Sequence, residues 1–298
     1  MSKINWFPGH MAKGLKGLQE EIKKCDYFIE TCDSRLPVIS RNPKFLKLWE
    51  QKEGMLLLTK ADLADPAQTE KWLSYYREQG YTSTLAVDLH NKTDIQKIKN
   101  QILIDNQEII KRAQKKGMRI RPIKVMINGI PNTGKSTLIN KLSGKKSVQT
   151  SNRPGVTKGN IWLRAGNDFY LMDSPGILWP KLETTTEQLS LAISGAIKDD
   201  ILPTIEVACG LIMILCQLYP KQMIDKFNLN LKDEKIETWM QAYQILEEIA
   251  FHWHLIKKGQ EADLERAASR LIIDYRQGKM GRFNLESFDQ KLVLPDNL

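Results

Sequence analysis

Gly129-Ile130-Pro131-Asn132-Thr133-Gly134-Lys135-Ser136-Thr137 is the stretch on which the fold reading turns. It has the spacing G-x-x-x-x-G-K-[ST] of the phosphate-binding loop, and its flanks suit it. Ahead of it, Ile123-Lys124-Val125-Met126-Ile127-Asn128 is short, apolar and β-branched, which predicts a buried strand. Behind it, Thr137-Leu138-Ile139-Asn140-Lys141-Leu142 carries a helical pattern. Strand, glycine loop and helix together aim several backbone N–H groups and a positive helix end at one point, which suits a polyphosphate. In such a loop Lys135 is predicted to reach the β- and γ-phosphates and the Ser136 hydroxyl to ligate Mg²⁺. Asn132, Thr133, Gly134 and Thr137 complete the candidate cradle. The chain reads as a binder of nucleoside triphosphates.

Working outward, the chain upstream of this loop alternates strands and helices. Tyr27-Phe28-Ile29-Glu30-Thr31-Cys32-Asp33 reads as a strand. Asn42 is placed to cap a helix that opens with Pro43 and runs to about Glu53. A second buried strand at Met55-Leu56-Leu57-Leu58 runs into Thr59-Lys60-Ala61-Asp62. A helix over 66–79, a strand over 82–87 and one long basic helix over about 94–116 return the chain to the loop strand. At the start, 11–24 is a further helical stretch, with Leu15, Leu18 and Ile22 on one face. Strands and helices alternating at these lengths predict a parallel sheet covered on both faces.

Downstream, Arg153-Pro154-Gly155-Val156-Thr157 is a loop with one well-placed threonine. Strands are predicted at 160–164 and 169–172, the second closing at Asp173-Ser174-Pro175-Gly176. An acid that ends a strand ahead of a glycine turn can hold the water shell of a Mg²⁺, and the glycine N–H can meet a γ-phosphate. From Thr186 the reading is helical, with segments near 187–198, 203–218, 237–258 and 262–277. His252 and His254 are two apart, hence on different helix faces, and read as ordinary core and surface residues rather than metal ligands.

The base preference rests on Thr59-Lys60-Ala61-Asp62. The pattern [NT]-K-x-D after a buried strand sets a carboxylate to accept two hydrogen bonds from the N1–H and N2–H₂ edge of guanine. Adenine lacks that donor pair and would leave the acid unpaired. With Thr157 and Asp173 to Gly176, four parts of one GTP site are present in an unusual order. The guanine motif precedes the phosphate loop, and the turn at Val87-Asp88 falls where the last base-contacting loop belongs. A circular permutation accounts for this, because domain termini lie at the surface and often close together. The predicted fold is α/β: a permuted P-loop GTPase domain over residues 1–182, with a mostly parallel sheet and helices on both faces, then an all-α domain over 183–298.

Composition narrows the partners. With 42% apolar and 27% charged residues the chain has what a packed core needs. No apolar run reaches the roughly eighteen residues of a membrane span. The N-terminus lacks the apolar core of a signal peptide, and the four cysteines show no C-x-x-C spacing, so a reducing cytoplasm is the expected location. Net charge is +9, unevenly spread. Residues 184–298 carry 13 Lys/Arg against 17 Asp/Glu, and residues 1–183 carry 31 against 18. Residues 97–124 alone hold nine basic side chains against Asp105 and Glu108. Several basic segments on one domain favour a polyanionic partner.

At these residues the sequence resembles the circularly permuted GTPases of the YlqF/YawG type. The match lies in Trp6-Phe7-Pro8-Gly9-His10-Met11, Asp33-Ser34-Arg35-Leu36-Pro37, Thr59 to Asp62 and the phosphate loop with Pro131-Asn132. Arg153 to Thr157, Asp173 to Trp179 and Gly195-Ala196-Ile197-Lys198-Asp199 extend it. The resemblance implies a cytoplasmic assembly factor that binds the large ribosomal subunit and its rRNA late in maturation, with GTP hydrolysis tied to release. Neither membrane nor DNA is expected as a partner, and the C-terminal helices resemble an RNA-binding domain. Two further readings stay open at this point: a nucleotide-gated switch acting on another RNA, and a P-loop enzyme that phosphorylates a small molecule.

Many GTPases orient the attacking water with a glutamine just after D-x-x-G; here that position is Ile177, which neither donates nor accepts. Slow intrinsic hydrolysis is therefore expected, with help from elsewhere. By resemblance His10 takes that role, and Asn132 resembles the K⁺ ligand of cation-dependent GTPases. The expected cofactors are GTP/GDP, Mg²⁺ through Ser136, Thr157 and Asp173, and K⁺ through Asn132. Lys135, Thr157 and Gly176 complete the expected catalytic set with His10.

Overall fold

A computed structural model of the chain describes residues 20–81, 83–144, 161–179, 182–229 and 236–295. They form two compact units, one of residues 20–62 and 69–179, the other of Leu63–Gln68 with residues 182–295.

The first unit is built on six strands, β1 Tyr27–Asp33, β2 Gly54–Thr59, β3 Ser83–Val87, β4 Ile123–Gly129, β5 Ile161–Ala165 and β6 Phe169–Asp173. Their order is β3-β2-β1-β4-β6-β5, parallel except for β5, which pairs antiparallel with β6. Every residue of β1 is buried, as expected of a central strand covered on both faces. Ile29, Leu57, Val125, Ile127 and Leu171 pack one face with Leu138 and Ile139 of the helix after the phosphate loop. Cys32, Leu56 and Leu58 pack the other with Trp72, Leu73 and Tyr76.

The helices of this unit are α1 Leu46–Trp49, α2 Pro66–Glu78 from Thr69 onward, α3 Lys92–Asp105, α4 Gln107–Lys115 and α5 Lys135–Ser143. Asn42 does cap a helical start, accepting the Lys44 N–H at 3.0 Å, but a 3₁₀ turn at Pro43–Phe45 leads into an α1 that ends at Trp49 rather than near Glu53. The reason is Gly54, which already pairs in register with Phe28. A Cβ there would lie 2.4 Å from the Phe28 carbonyl, so residues 50–53 must turn the chain into the sheet.

The long basic helix over 94–116 is two helices. Asn106 is buried, leaves the helical basin at φ −102, and donates its side-chain amide to the Ile102 carbonyl at 2.8 Å. Asp105 beside it accepts hydrogen bonds from Tyr27, Ser83 and Gln101. The end of α3 is thereby tied to the first residues of β1 and β3, and the helix restarts as α4.

The second unit holds α6 Thr185–Ile193, α7 Thr204–Leu218, α8 Pro220–Phe227, α9 Trp239–His252 and α10 Leu264–Arg276. Helix α8 was not foreseen; its sequence sign is Pro220 at the first helical position, with Met223 and Phe227 buried. Thr184 with Glu187, and Thr238 with Gln241, form capping boxes that start α6 and α9. Helix α7 is the core, with Val207 to Cys216 all buried. Arg276 donates to the Ile193 and Ala192 carbonyls, each at 2.8 Å, and pairs with Asp199, closing the C-terminus of α6. The tail packs: Leu294 is buried and its N–H donates to the Thr186 hydroxyl at 2.9 Å. His252 and His254 are exposed on either side of half-buried Trp253. The four cysteines are buried free thiols, and among the described residues no single helix is long and apolar enough to cross a membrane.

Candidate functional site

The parallel register brings the distant motifs together. Thr31 of β1 pairs with Gly129 at the end of β4, Asp33 with Thr59 at the end of β2, and Ile127 with Asp173 at the end of β6. The phosphate loop, the Thr59–Asp62 motif and the Asp173–Gly176 turn therefore leave the same carboxyl edge of one sheet, where open α/β sheets bind their ligands. This is the physical basis on which the permuted motif order is harmless: the sheet, not the chain order, assembles the edge.

Hydroxyls stitch the edge. Those of Thr31 and Thr133 meet at 2.8 Å, and Thr133 also reaches the Ile130 carbonyl at 2.9 Å. The Thr59 hydroxyl lies 2.9 Å from the Thr133 carbonyl and 3.0 Å from that of Cys32, linking the guanine motif directly to the phosphate loop. Thr31 was not among the sequence candidates. Its one signal is that it is a polar residue in a strand every residue of which is buried, a position shared with Glu30 and Asp33.

The loop itself is tightly held. Gly134 has φ +88, so the backbone favours glycine there, and a Cβ on it would meet the end of the Leu89 side chain, Cδ1, at 2.8 Å. Asn132 takes the left-handed conformation, at φ 61, in the middle of the loop. Lys135 is buried, and its Nζ donates to the Ile130 carbonyl at 2.6 Å. Burial pushes its ammonium down to about 8, against the opposing pull of Asp173. Ser136 and Thr137, at the start of α5, are half-buried.

Asp173 is buried at the end of β6. The next residue, Ser174, donates its hydroxyl to the Ile127 carbonyl at 2.7 Å, fixing the turn against β4. A Cβ on Gly176 would lie 3.0 Å from Lys135 Nζ and from Pro131, so this glycine backbone passes directly beside the lysine. Ile177 is fully buried and its carbonyl accepts from the Asn42 amide at 2.8 Å, so its side chain belongs to the core.

In the guanine motif, Lys60 has φ 58 and its Nζ donates to Asp33 at 2.8 Å. Asp33 in turn takes three hydrogen bonds from Arg35, one from the backbone and two from the guanidinium. Ala61 and Asp62 follow in a 3₁₀ turn. The Asp62 carboxyl is raised above the usual carboxylate range, first by partial burial and then by the nearby charge of Asp88. Val87 is buried at the end of β3, and Asp88 accepts the His90 N–H at 2.7 Å. Leu89 packs on Gly134, a contact with no sequence signature. His10 and Thr157 lie outside the described residues.

Backbone donors, a buried lysine and a buried carboxylate thus converge on one edge, with a second carboxylate displaced toward the end of β2. That set can hold a phosphate chain at one end and a purine edge at the other. Ser136 and Asp173 supply hydroxyl and carboxylate oxygens, the donor set of a hard divalent cation.

Comparison with known proteins agrees. Residues 124–262 match the family described as 50S ribosome-binding GTPase. Ribosome biogenesis GTPase A of Priestia megaterium is 39% identical over 284 residues, covering 95% of this chain and 96% of that protein. The protein of the same name from Bacillus cereus is 36% identical over 95% of this chain and 94% of its own. The GNP-bound structure of YlqF from T. maritima superposes with a TM-score of 0.60 at 23% identity, covering 92% of this chain and 98% of that one.

Proposed function

The chain belongs to the ribosome biogenesis GTPase A family, and from that premise we propose that it is a GTP-hydrolysing assembly factor that binds the large ribosomal subunit through rRNA and leaves it on hydrolysis. The observation that carries the GTP site is the shared carboxyl edge, where Thr59 hydrogen-bonds the Thr133 carbonyl and so locks the guanine motif to the phosphate loop.

In this reading Asp62 accepts the guanine donors, with Thr59, Lys60, Ala61, Val87 and Asp88 around the base. Asn132, Thr133, Gly134, Lys135, Ser136 and Thr137 hold the phosphates. Ser136, Thr157 and, through water, Asp173 would hold Mg²⁺, which neutralises charge on the β- and γ-phosphate oxygens. The Gly176 N–H meets the γ-phosphate, and its place beside Lys135 supports that role. With Ile177 turned into the core, the attacking water is oriented from elsewhere: His10 is assigned that part, and Asn132 a K⁺ that offsets developing charge. The domain over 183–298 is assigned to RNA. The protein acts in the cytoplasm, where subunits mature.

The test is steady-state GTP hydrolysis in K⁺ and in Na⁺ buffer, with and without purified 50S subunits. Stimulation by 50S and by K⁺ is expected. Equal rates with 50S, 30S and no subunit would remove the ribosome from the proposal, and an Asn132→Ala protein that kept its K⁺ preference would remove the cation site. Full 50S-stimulated turnover in His10→Ala would remove the histidine.

A further inference from the structure

Among the described residues of the sheet unit, 107–121 lie in the longest stretch without a buried residue. Helix α4 lies within it and contributes no residue to the core, although Ile110 packs partly against it. The helix is amphipathic: Ile109, Ile110 and Ala113 are half-buried on one side, while Lys111, Arg112, Lys115 and Lys116 are exposed on the other. Ion pairs do not neutralise that basic side. Among the described residues Lys111, Arg112, Lys115, Lys116 and Arg119 form neither an ion pair nor a side-chain hydrogen bond, and only Arg121 is paired, with Asp26. Glu108 is the single acid in the stretch.

The spacing concentrates these charges. Positions 111, 112, 115 and 116 of a helix advancing about 100° per residue fall within an arc of roughly 140°. Met118 and Ile120, exposed by 61% and 46%, follow at once, interleaving apolar side chains with Arg119 and Arg121.

The place in the fold is informative. Asp105, just before α4, is tied to Tyr27 and Ser83 at the amino ends of β1 and β3, and Arg121 stands two residues before β4. The basic arm therefore lies at the amino edge of the sheet. The candidate nucleotide site is at the carboxyl edge, roughly 20 Å away along a strand of seven residues.

We infer that Lys111, Arg112, Lys115, Lys116 and Arg119 form a contact surface for the phosphate backbone of folded RNA, on the edge of the sheet unit opposite the nucleotide. The inference deepens the proposed function and rests on it: the RNA is that of the large subunit, and the sheet unit docks as well as the helical one. Unpaired cations on an exposed helix match a polyanion, whose binding releases counterions in proportion to the charges neutralised. The distance from the phosphate loop lets the nucleotide site work while this face is occupied.

The experiment uses the full chain with K111Q, R112Q, K115Q, K116Q and R119Q combined, glutamine retaining helix propensity. Co-sedimentation with 50S subunits and binding to protein-free large-subunit rRNA are measured from low to moderate salt. Subunit-free GTP hydrolysis and Tm serve as checks on folding. The result expected is unchanged basal hydrolysis, at least about tenfold weaker binding to both partners, and a log K versus log[salt] slope smaller by about 3 to 4. A charge-retaining variant, K111R with R112K, K115R, K116R and R119K, restores both affinity and slope. Should the five-fold variant be unstable, R112Q and K115Q singly each lower the slope by under about 1. An unchanged slope and affinity overturns the inference and leaves the proposed function standing. Loss on 50S with full retention on rRNA also overturns it, because the partner of this face is then a protein. Failure of the parent chain to bind either partner overturns the proposed function, and this inference with it.

Discussion

Lys60 Nζ donates to Asp33 Oδ2 at 2.8 Å, so the lysine of the guanine motif is held by the last residue of the neighbouring strand. The same carboxylate is gripped from its other side by the Arg35 guanidinium at 3.0 and 2.8 Å. Burial alone would push Asp33 up, but the two cations outweigh it and hold the carboxyl well below its usual range. Lys60 sits at φ 58, a conformation that costs a side-chain-bearing residue, and the ion pair helps hold it there. The Asp33-Ser34-Arg35 turn thereby fixes the backbone from which Ala61 and Asp62 follow.

Arg35→Gln removes one partner of a buried pair and should lower stability by about 3–5 kcal/mol. Arg35→Lys keeps the charge but not the two-pronged grip and should fall between the two. Urea midpoints give the order. In the parent, a depressed Asp33 contributes stability that is present above its unfolded value of about 4 and is lost as pH falls toward the folded one. The variant should lose that share of its acid resistance. Equal urea midpoints for all three proteins would show that the carboxylate needs no arginine.

Asp62→Asn replaces an acceptor by an amide that can donate. GTP affinity should fall on the order of 10²-fold or more. Xanthosine triphosphate, which carries a carbonyl where guanine carries its amine, should bind better than to the parent. Competition of GTP and xanthosine triphosphate against a fluorescent GDP measures this. A variant that still ranks GTP first would move base recognition away from Thr59 to Asp62.

Lys135 carries a prediction in pH. Burial holds it at about 8 in the free protein, and a bound polyphosphate favours its charged form. Above pH 8 binding must therefore take up a proton, and affinity should fall with rising pH, approaching tenfold per unit. Titrations from pH 7 to 9.5, with proton uptake read by calorimetry in two buffers, test it. The same slope in Lys135→Ala would assign the proton to another group.

Gly176→Ala places a methyl 3.0 Å from Lys135 Nζ and Pro131. GTP hydrolysis should fall by about tenfold or more, because the backbone N–H can no longer approach the γ-phosphate. GDP, which lacks that group, should bind within about threefold of the parent. Stopped hydrolysis with normal GTP-over-GDP discrimination would show that the glycine acts in catalysis without sensing the third phosphate.

The motifs and their flanking strands were legible because each is local chemistry: glycines where the backbone must turn tightly, a lysine and hydroxyl in fixed spacing, and apolar runs long enough for a buried strand. The permuted order was legible for the same reason, since it is read along the chain. Less legible were the joints. Asn106 looks like any polar residue of a basic helix, and only the pinning of Asp105 to Tyr27 and Ser83 shows why the helix stops there. Pro220 marked a helix start that stood too close behind α7 to be separated by periodicity.

The sequence by itself determined the class of fold, the spacing of the G-x-x-x-x-G-K-S and T-K-A-D patterns, and the excess of positive charge in the first half, since these depend on residue types and short spacings. Tertiary structure decided how residues far apart in the chain share one edge. Thr31 meets Thr133, Thr59 meets the loop carbonyl, and Arg35 reaches Lys60 through Asp33 because parallel strands in a fixed register end side by side. It also decided where the positive charge goes, because the break at Asn106 separates a helix that buries residues in the core from one that only rests against it. Spacing along a chain cannot encode either result, since both depend on which strand lies next to which.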